Sequence, residues 1–108
     1  MDSEREDSLI PRWRAPGATD EIYDVTRAAK LAGVTTRIFL KYHRMGLYQP
    51  LGDTQKQGYQ FDWDAVYLAR QAERVRSEMS VEMEVAIVIV KLKTQVAMLQ
   101  EEIRFWRR

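Results

Sequence analysis

The chain has 108 residues, no cysteine, one histidine (His43) and a formal net charge of +1. That length allows one small domain with a modest core, and the missing thiols exclude disulfides, thiolate metal sites and cysteine redox sensing. A lone imidazole builds no metal site. No apolar run approaches the ~20 residues of a membrane helix, and none follows a basic start as a secretory signal would. The expectation is a cytoplasmic protein with no cofactor and no membrane partner.

Charge is distributed unevenly. Residues 1–23 and 61–84 each carry an excess of three acidic groups, 24–60 an excess of four basic groups and 85–108 an excess of three. The second segment is therefore mildly basic, short of the strong positive footprint of an efficient DNA binder.

Residues 1–20 combine two prolines, a Pro-Gly pair and dense charge without periodicity, which reads as a flexible N-terminal tail. Trp13 and the Leu9-Ile10 pair are its only apolar anchors. From Tyr23 the pattern turns regular. Thr26 is placed to cap a short helix carrying Ala28, Ala29, Leu31 and Ala32, which Gly33 ends. Thr35 caps a second helix whose apolar positions are Ile38, Phe39, Tyr42 and Met45, with Gly46 closing it. Two short helices joined around a glycine are a helix-turn-helix signature.

Pro50 forbids further helix. Residues 51–58 read as a polar turn, and Tyr59 and Phe61 alternate as a strand does, so this stretch predicts a two-stranded wing. Asp62 caps a third helix with Ala65, Leu68, Ala72, Val75 and Met79 on one face and Asp64, Tyr67, Gln71, Arg74 and Glu78 on the other. Ser80 is placed to cap the last helix. There Val85, Ile89, Leu92, Val96, Leu99, Ile103 and Trp106 repeat at 4-3-4-3-4-3, the seam of a coiled coil. Val85–Val90 is apolar on every side. Its β-branched content favours a strand, but the heptad crosses it without a turn residue, so it reads as helix buried on two sides, against its own domain and a second copy. Homodimer is the expected state; no polar residue in the seam fixes the pairing direction. The divisions are a tail (1–20), a winged helix-turn-helix domain (21–80) and a dimerisation helix (81–108), mainly α throughout.

No nucleophile–base–orienter set, phosphate-binding glycine loop or metal-helix motif occurs, so an enzyme is not expected. Tyr23, Tyr48, Trp63 and Tyr67 are the side chains available to line an effector pocket.

The letters G-V-T-T-R-I-F-L-K-Y-H-R-M-G-L-Y-Q-P (33–50) and G-Y-Q-F-D (58–62) resemble the MerR family of winged-helix regulators, matching at Gly33, Val34, Tyr42, Gly46, Leu47, Pro50, Gly58 and Tyr59. The family's recognition-helix arginine falls on Leu40 and its wing arginine on Gln60. A guanidinium makes paired, charge-assisted bonds to phosphate or guanine, and neither leucine nor glutamine replaces it. If DNA binding persists, Thr36, Arg37, Lys41, Arg44 and the wing Lys56 would carry it. Over residues 23–105 the chain is more similar to the CbpM-type chaperone modulators, through the R-V-R-S-E-M helix end (74–79), the apolar stretch that follows and the leucine- and glutamate-bearing tail. That resemblance implies a regulator that binds the J-domain of a DnaJ-like co-chaperone and blocks its stimulation of a DnaK-type chaperone. A J-domain presents a positively charged helix, and Asp64, Tyr67, Glu73, Arg74 and Glu78 are the candidate contacts for it.

Overall fold

A computed structural model describes residues 13–51 and 58–107. The wing residue Lys56, and most of the 51–58 turn, fall outside the described residues.

Strand β1 (Tyr23–Asp24) leads into helix α1 (Val25–Ala32) and helix α2 (Thr36–Arg44); β2 (Gln60–Phe61) precedes the long helices α3 (Trp63–Met79) and α4 (Met83–Trp106). The cap of α1 is Asp24, whose carboxylate accepts the Arg27 N–H at 2.8 Å. Thr26 lies inside the helix: Asp24 occupies the extended position preceding it, where a side chain can reach back to the third helical N–H. Gly33 adopts a left-handed φ of 78°, and the Val34 N–H reaches back to the Ala29 carbonyl, so α1 stops where the sequence places its glycine. Thr35 then accepts the Ile38 N–H and starts α2.

Phe39 and Tyr42 on α2 are fully buried, and Phe39 centres an aromatic cluster with Tyr48 and Phe61, both ring centroids 4.9 Å away. The Tyr48 hydroxyl donates to the Phe39 carbonyl at 2.7 Å, satisfying a buried phenol. His43 Nδ1, 3.1 Å from the Tyr48 carbonyl, donates there.

The sheet departs from the expected hairpin. β2 pairs antiparallel with β1, Tyr23 opposite Phe61 and Asp24 opposite Gln60. Residue 51 contributes a single bond, its N–H to the Gln60 carbonyl. Pairing with β1 puts the Phe61 ring into the core directly below α1 and α2; alternation alone could not reveal which earlier segment would supply the partner strand.

Helix α3 starts on Asp62 as expected, its carboxylate accepting the Ala65 N–H at 3.2 Å, and packs against both α1 and α4. Its buried residues are Ala65, Val66, Ala69, Ala72 and Val75. Leu68 is only half-buried, packed at the edge of the core, and Met79, the last residue of α3, is exposed. Ser80, expected to cap α4, instead ends α3 in a left-handed conformation (φ 53°). Glu82 precedes α4 with no side-chain cap bond. α4 turns Met83, Ala86, Ile87 and Val90 onto α3, while Val85 and Val88 stay exposed, so the Val85–Val90 stretch is buried on one side within the single chain. Among the described residues no helix is long and apolar enough to cross a membrane.

Residues 13–20 are not a free tail. Ala15 is buried, its N–H donates to Asp64 Oδ1 at 2.9 Å, and Trp63 Nε1 donates to the Pro16 carbonyl at 2.7 Å. The anchor Trp13 lies against Tyr67, ring centroids 6.2 Å apart. The proline-rich composition kept this segment from forming helix or strand without preventing it from docking.

Replacing Asp24 with alanine should lower stability by about 1 kcal/mol, whereas Thr26→Ala should cost no more than a few tenths. Urea unfolding followed by circular dichroism separates the two, and a larger loss at Thr26 would return the cap to that residue.

Candidate functional site

Three exposed faces carry the residues singled out from sequence, and folding treats them differently. On α2, Thr36, Arg37, Lys41 and Arg44 are all exposed, and none of their side chains has a hydrogen-bond or ion-pair partner among the described residues. Their spacing puts Arg37, Lys41 and Arg44 along one helical stripe, opposite the face that buries Phe39 and Tyr42. Leu40, between them, is half-buried and packs on the core.

On α3 the five candidate contacts divide. Asp64 is spent inside the molecule: it accepts the Ala15 N–H and pairs with Arg14 at 3.3 Å. Tyr67, expected on an open face, is half-buried against Trp13. Glu73 is also engaged, accepting a short hydrogen bond from the Tyr42 hydroxyl and another from Arg76 at 2.9 Å. Arg74 and Glu78 remain at the surface, paired with each other at 3.3 Å and each about two-thirds exposed. An exposed pair of that kind contributes at most about 1 kcal/mol, so it opens at little cost to a partner.

The Tyr42–Glu73–Arg76 link joins α2 to α3 and sets the local electrostatics. Burial, reinforced by the Glu73 hydrogen bond, pushes the Tyr42 phenol up to about 12. Burial pushes the Tyr48 phenol up still further, with the neighbouring Tyr42 adding to the effect. Both rings are therefore neutral at any physiological pH.

No effector pocket forms from the four expected aromatics. Tyr23 and Tyr48 are core residues, while Trp63 and Tyr67 are taken up by residues 13–16. A cleft of about 210 Å³ does lie between Trp13, Pro16 and Tyr67 on one side and Val90, Lys93 and Ala97 on the other. It is smaller than the ~300 Å³ or more of an ordinary small-molecule site. Sequence reasoning missed it because residues 13–20 build one wall; Trp13, a large apolar residue in a charged stretch, was the available signal. Among the described residues no cluster of potential metal ligands occurs.

On α4, the seam side chains Val85, Leu92, Val96, Leu99, Ile103 and Trp106 are all exposed, from 46 % at Val85 to 62 % at Trp106, and Ile89 is half-buried. Val88, outside the heptad seam read from sequence, joins the same exposed stripe at 54 %.

No protein-family model, no curated protein and no solved structure matches the chain.

The raised phenols give a definite alkaline signature. Well below pH 10 folded and unfolded chains both hold the Tyr42 proton, so it leaves stability unchanged. Between pH 10 and about 12 the unfolded chain sheds a proton that the folded chain keeps, so stability falls as pH rises. Unfolding free energy measured from pH 8 to 12 should be level and then decline, and Tyr42→Phe should remove that residue's share of the slope. An unchanged slope in the variant would contradict the assignment.

Proposed function

We propose that this chain is a non-enzymatic regulator of the chaperone-modulator type, which binds the J-domain of a DnaJ-like co-chaperone and keeps it from stimulating a DnaK-type chaperone. In this reading β1, α1, α2 and β2 form a MerR-like winged helix-turn-helix head, α3 displays the partner face, and α4 is the coiled-coil helix of a homodimer. The observation that carries it is Leu40. Where the MerR pattern holds an arginine that grips DNA, this chain has a leucine packed on its own core, and the wing position is Gln60, within β2. A head without those cations is suited to holding another protein.

The contact set is narrower than the one expected from sequence. Asp64 and Glu73 maintain the fold, whereas Arg74 and Glu78, paired with each other, lie exposed on the α3 surface. Such charges mainly set encounter rate and orientation.

A second reading, a DNA-binding transcriptional regulator of MerR or HspR type, is favoured by one feature: Thr36, Arg37, Lys41 and Arg44 are exposed on α2, with no side-chain partner among the described residues.

Under the first reading the purified chain should suppress J-protein-stimulated ATPase of a DnaK-type chaperone. The double variant Arg74→Glu/Glu78→Lys should raise the half-inhibitory concentration about tenfold, a loss of about 1.4 kcal/mol. Full stimulation in the presence of excess unmodified chain would refute it. Under the second reading, Arg37→Ala and Lys41→Ala should each weaken duplex binding and flatten its salt dependence by about one unit per lost phosphate contact; binding unaffected by either change would refute that reading.

A further inference from the structure

Three parts of the chain wall the cleft of about 210 Å³: the 13–16 segment, α3 at Tyr67 and Gln71, and α4 between Val90 and Ala97. At about 100° per residue, the α4 side of it (Val90, Lys93, Thr94 and Ala97) is centred roughly 150° around that helix from the exposed stripe of Leu92, Val96, Leu99, Ile103 and Trp106. The cleft therefore faces away from whatever covers the stripe.

Volume, wall chemistry and charge together define what fits. An apolar cavity of about 150 Å³ accepts one benzene ring, so this space holds a single ring with one small substituent and nothing of drug size. The rings of Trp13 and Tyr67 stand 6.2 Å apart and tilted by 58°. A flat π system meets such rings edge-on or offset, which adds to the gain from burial alone. Val90 and Ala97 offer apolar surface opposite. Lys93 is the one charged side chain of the lining, and no carboxylate stands beside it, although 16 of the 108 residues are acidic. The Thr94 hydroxyl is turned back on the Val90 carbonyl at 2.9 Å. The side chains of Lys93 and Gln71, in contrast, have no hydrogen-bond or ion-pair partner among the described residues. Both can donate to an anion, and the ammonium makes the stronger, charge-assisted bond.

We propose that the cleft binds a small aromatic carboxylate, a single ring bearing one anionic group, of the size of benzoate. The ring lies against Trp13 and Tyr67, the carboxylate reaches the Lys93 ammonium, and the Gln71 amide is the second donor. An occupied cleft touches the 13–16 segment and both long helices at once, beside the Ala15–Asp64 and Trp63–Pro16 hydrogen bonds that already hold that segment. The site does not rest on the J-domain reading, since it uses neither Arg74 nor Glu78 nor the basic stripe of α2.

Benzoate is the probe, titrated into the full chain and followed by proton–nitrogen correlation spectra. Benzyl alcohol keeps the ring and drops the charge, and cyclohexanecarboxylate keeps the charge and drops the π face. Saturable shifts should centre on the Trp13 indole, the Gln71 side-chain amide and the Lys93 backbone. Benzoate should bind about fivefold tighter than benzyl alcohol, near the most that an exposed ion pair contributes. Lys93→Met should abolish that preference and leave benzyl alcohol binding unchanged. Ala97→Leu fills the cleft from the helix side without touching residues 13–16, and should weaken both ligands about tenfold or more. Shifts that rise linearly with concentration or scatter over the surface overturn the site, as does benzoate binding unaltered by Ala97→Leu. Equal affinity for benzoate and benzyl alcohol, or cyclohexanecarboxylate binding as tightly as benzoate, overturns the ligand class.

Discussion

The close approach of α1, α3 and α4 depends on alanine. Ala28, Ala29 and Ala32 are the buried residues of α1, and Ala65, Ala69 and Ala72 are three of the five on α3; side chains this small let the backbones come near enough for Phe39, Phe61 and Val66 to fill the remaining space. Cores are packed to crystal-like density, so an added methyl at any of these sites would have to move a helix. α3 packs against two neighbours and thereby fixes where the α2 face and the α4 stripe stand with respect to each other.

That arrangement separates duties along one helix. Two carboxylates of α3 are turned inward: Asp64 in the first turn receives the Arg14–Ala15 segment, and Glu73 further along ties down Tyr42 and Arg76. In the last turns Arg74 and Glu78 stay at the surface, paired with each other. An acidic stretch in a sequence is thus a poor map of an acidic surface, because carboxylates that cap backbone or hold a phenol are consumed by the fold.

Much of the architecture was legible in the sequence because it is written in local signals. Gly33 and Thr35 mark the turn between α1 and α2, Asp62 marks the start of α3, and the heptad runs through α4. What stayed hidden was tertiary. Thr26 and Asp24 are both competent caps, and only the path of the chain into β1 decides between them. Ser80 reads as the start of a helix, yet it closes the one before. β2 finds its partner thirty-odd residues upstream, a pairing that alternation cannot specify. The site was less legible than the fold: exposure of the basic stripe and of the α4 seam followed from periodicity, while the inward use of Asp64 and Tyr67 depended on a docked segment with no secondary structure and that of Glu73 on the Tyr42 hydroxyl across from it on α2.

One indole ties several of these parts into a single mechanical linkage. The Trp63 N–H is held by the Pro16 carbonyl, and the Arg70 guanidinium lies over its ring, 5.3 Å from the centroid, while donating to the Leu31 carbonyl in the last turn of α1. Whatever peels residues 13–16 away removes one of the two restraints on that ring and loosens the other. Contacts thus run without a break from the N-terminal segment through Trp63 and Arg70 to the last turn of α1, just ahead of the turn that leads into α2.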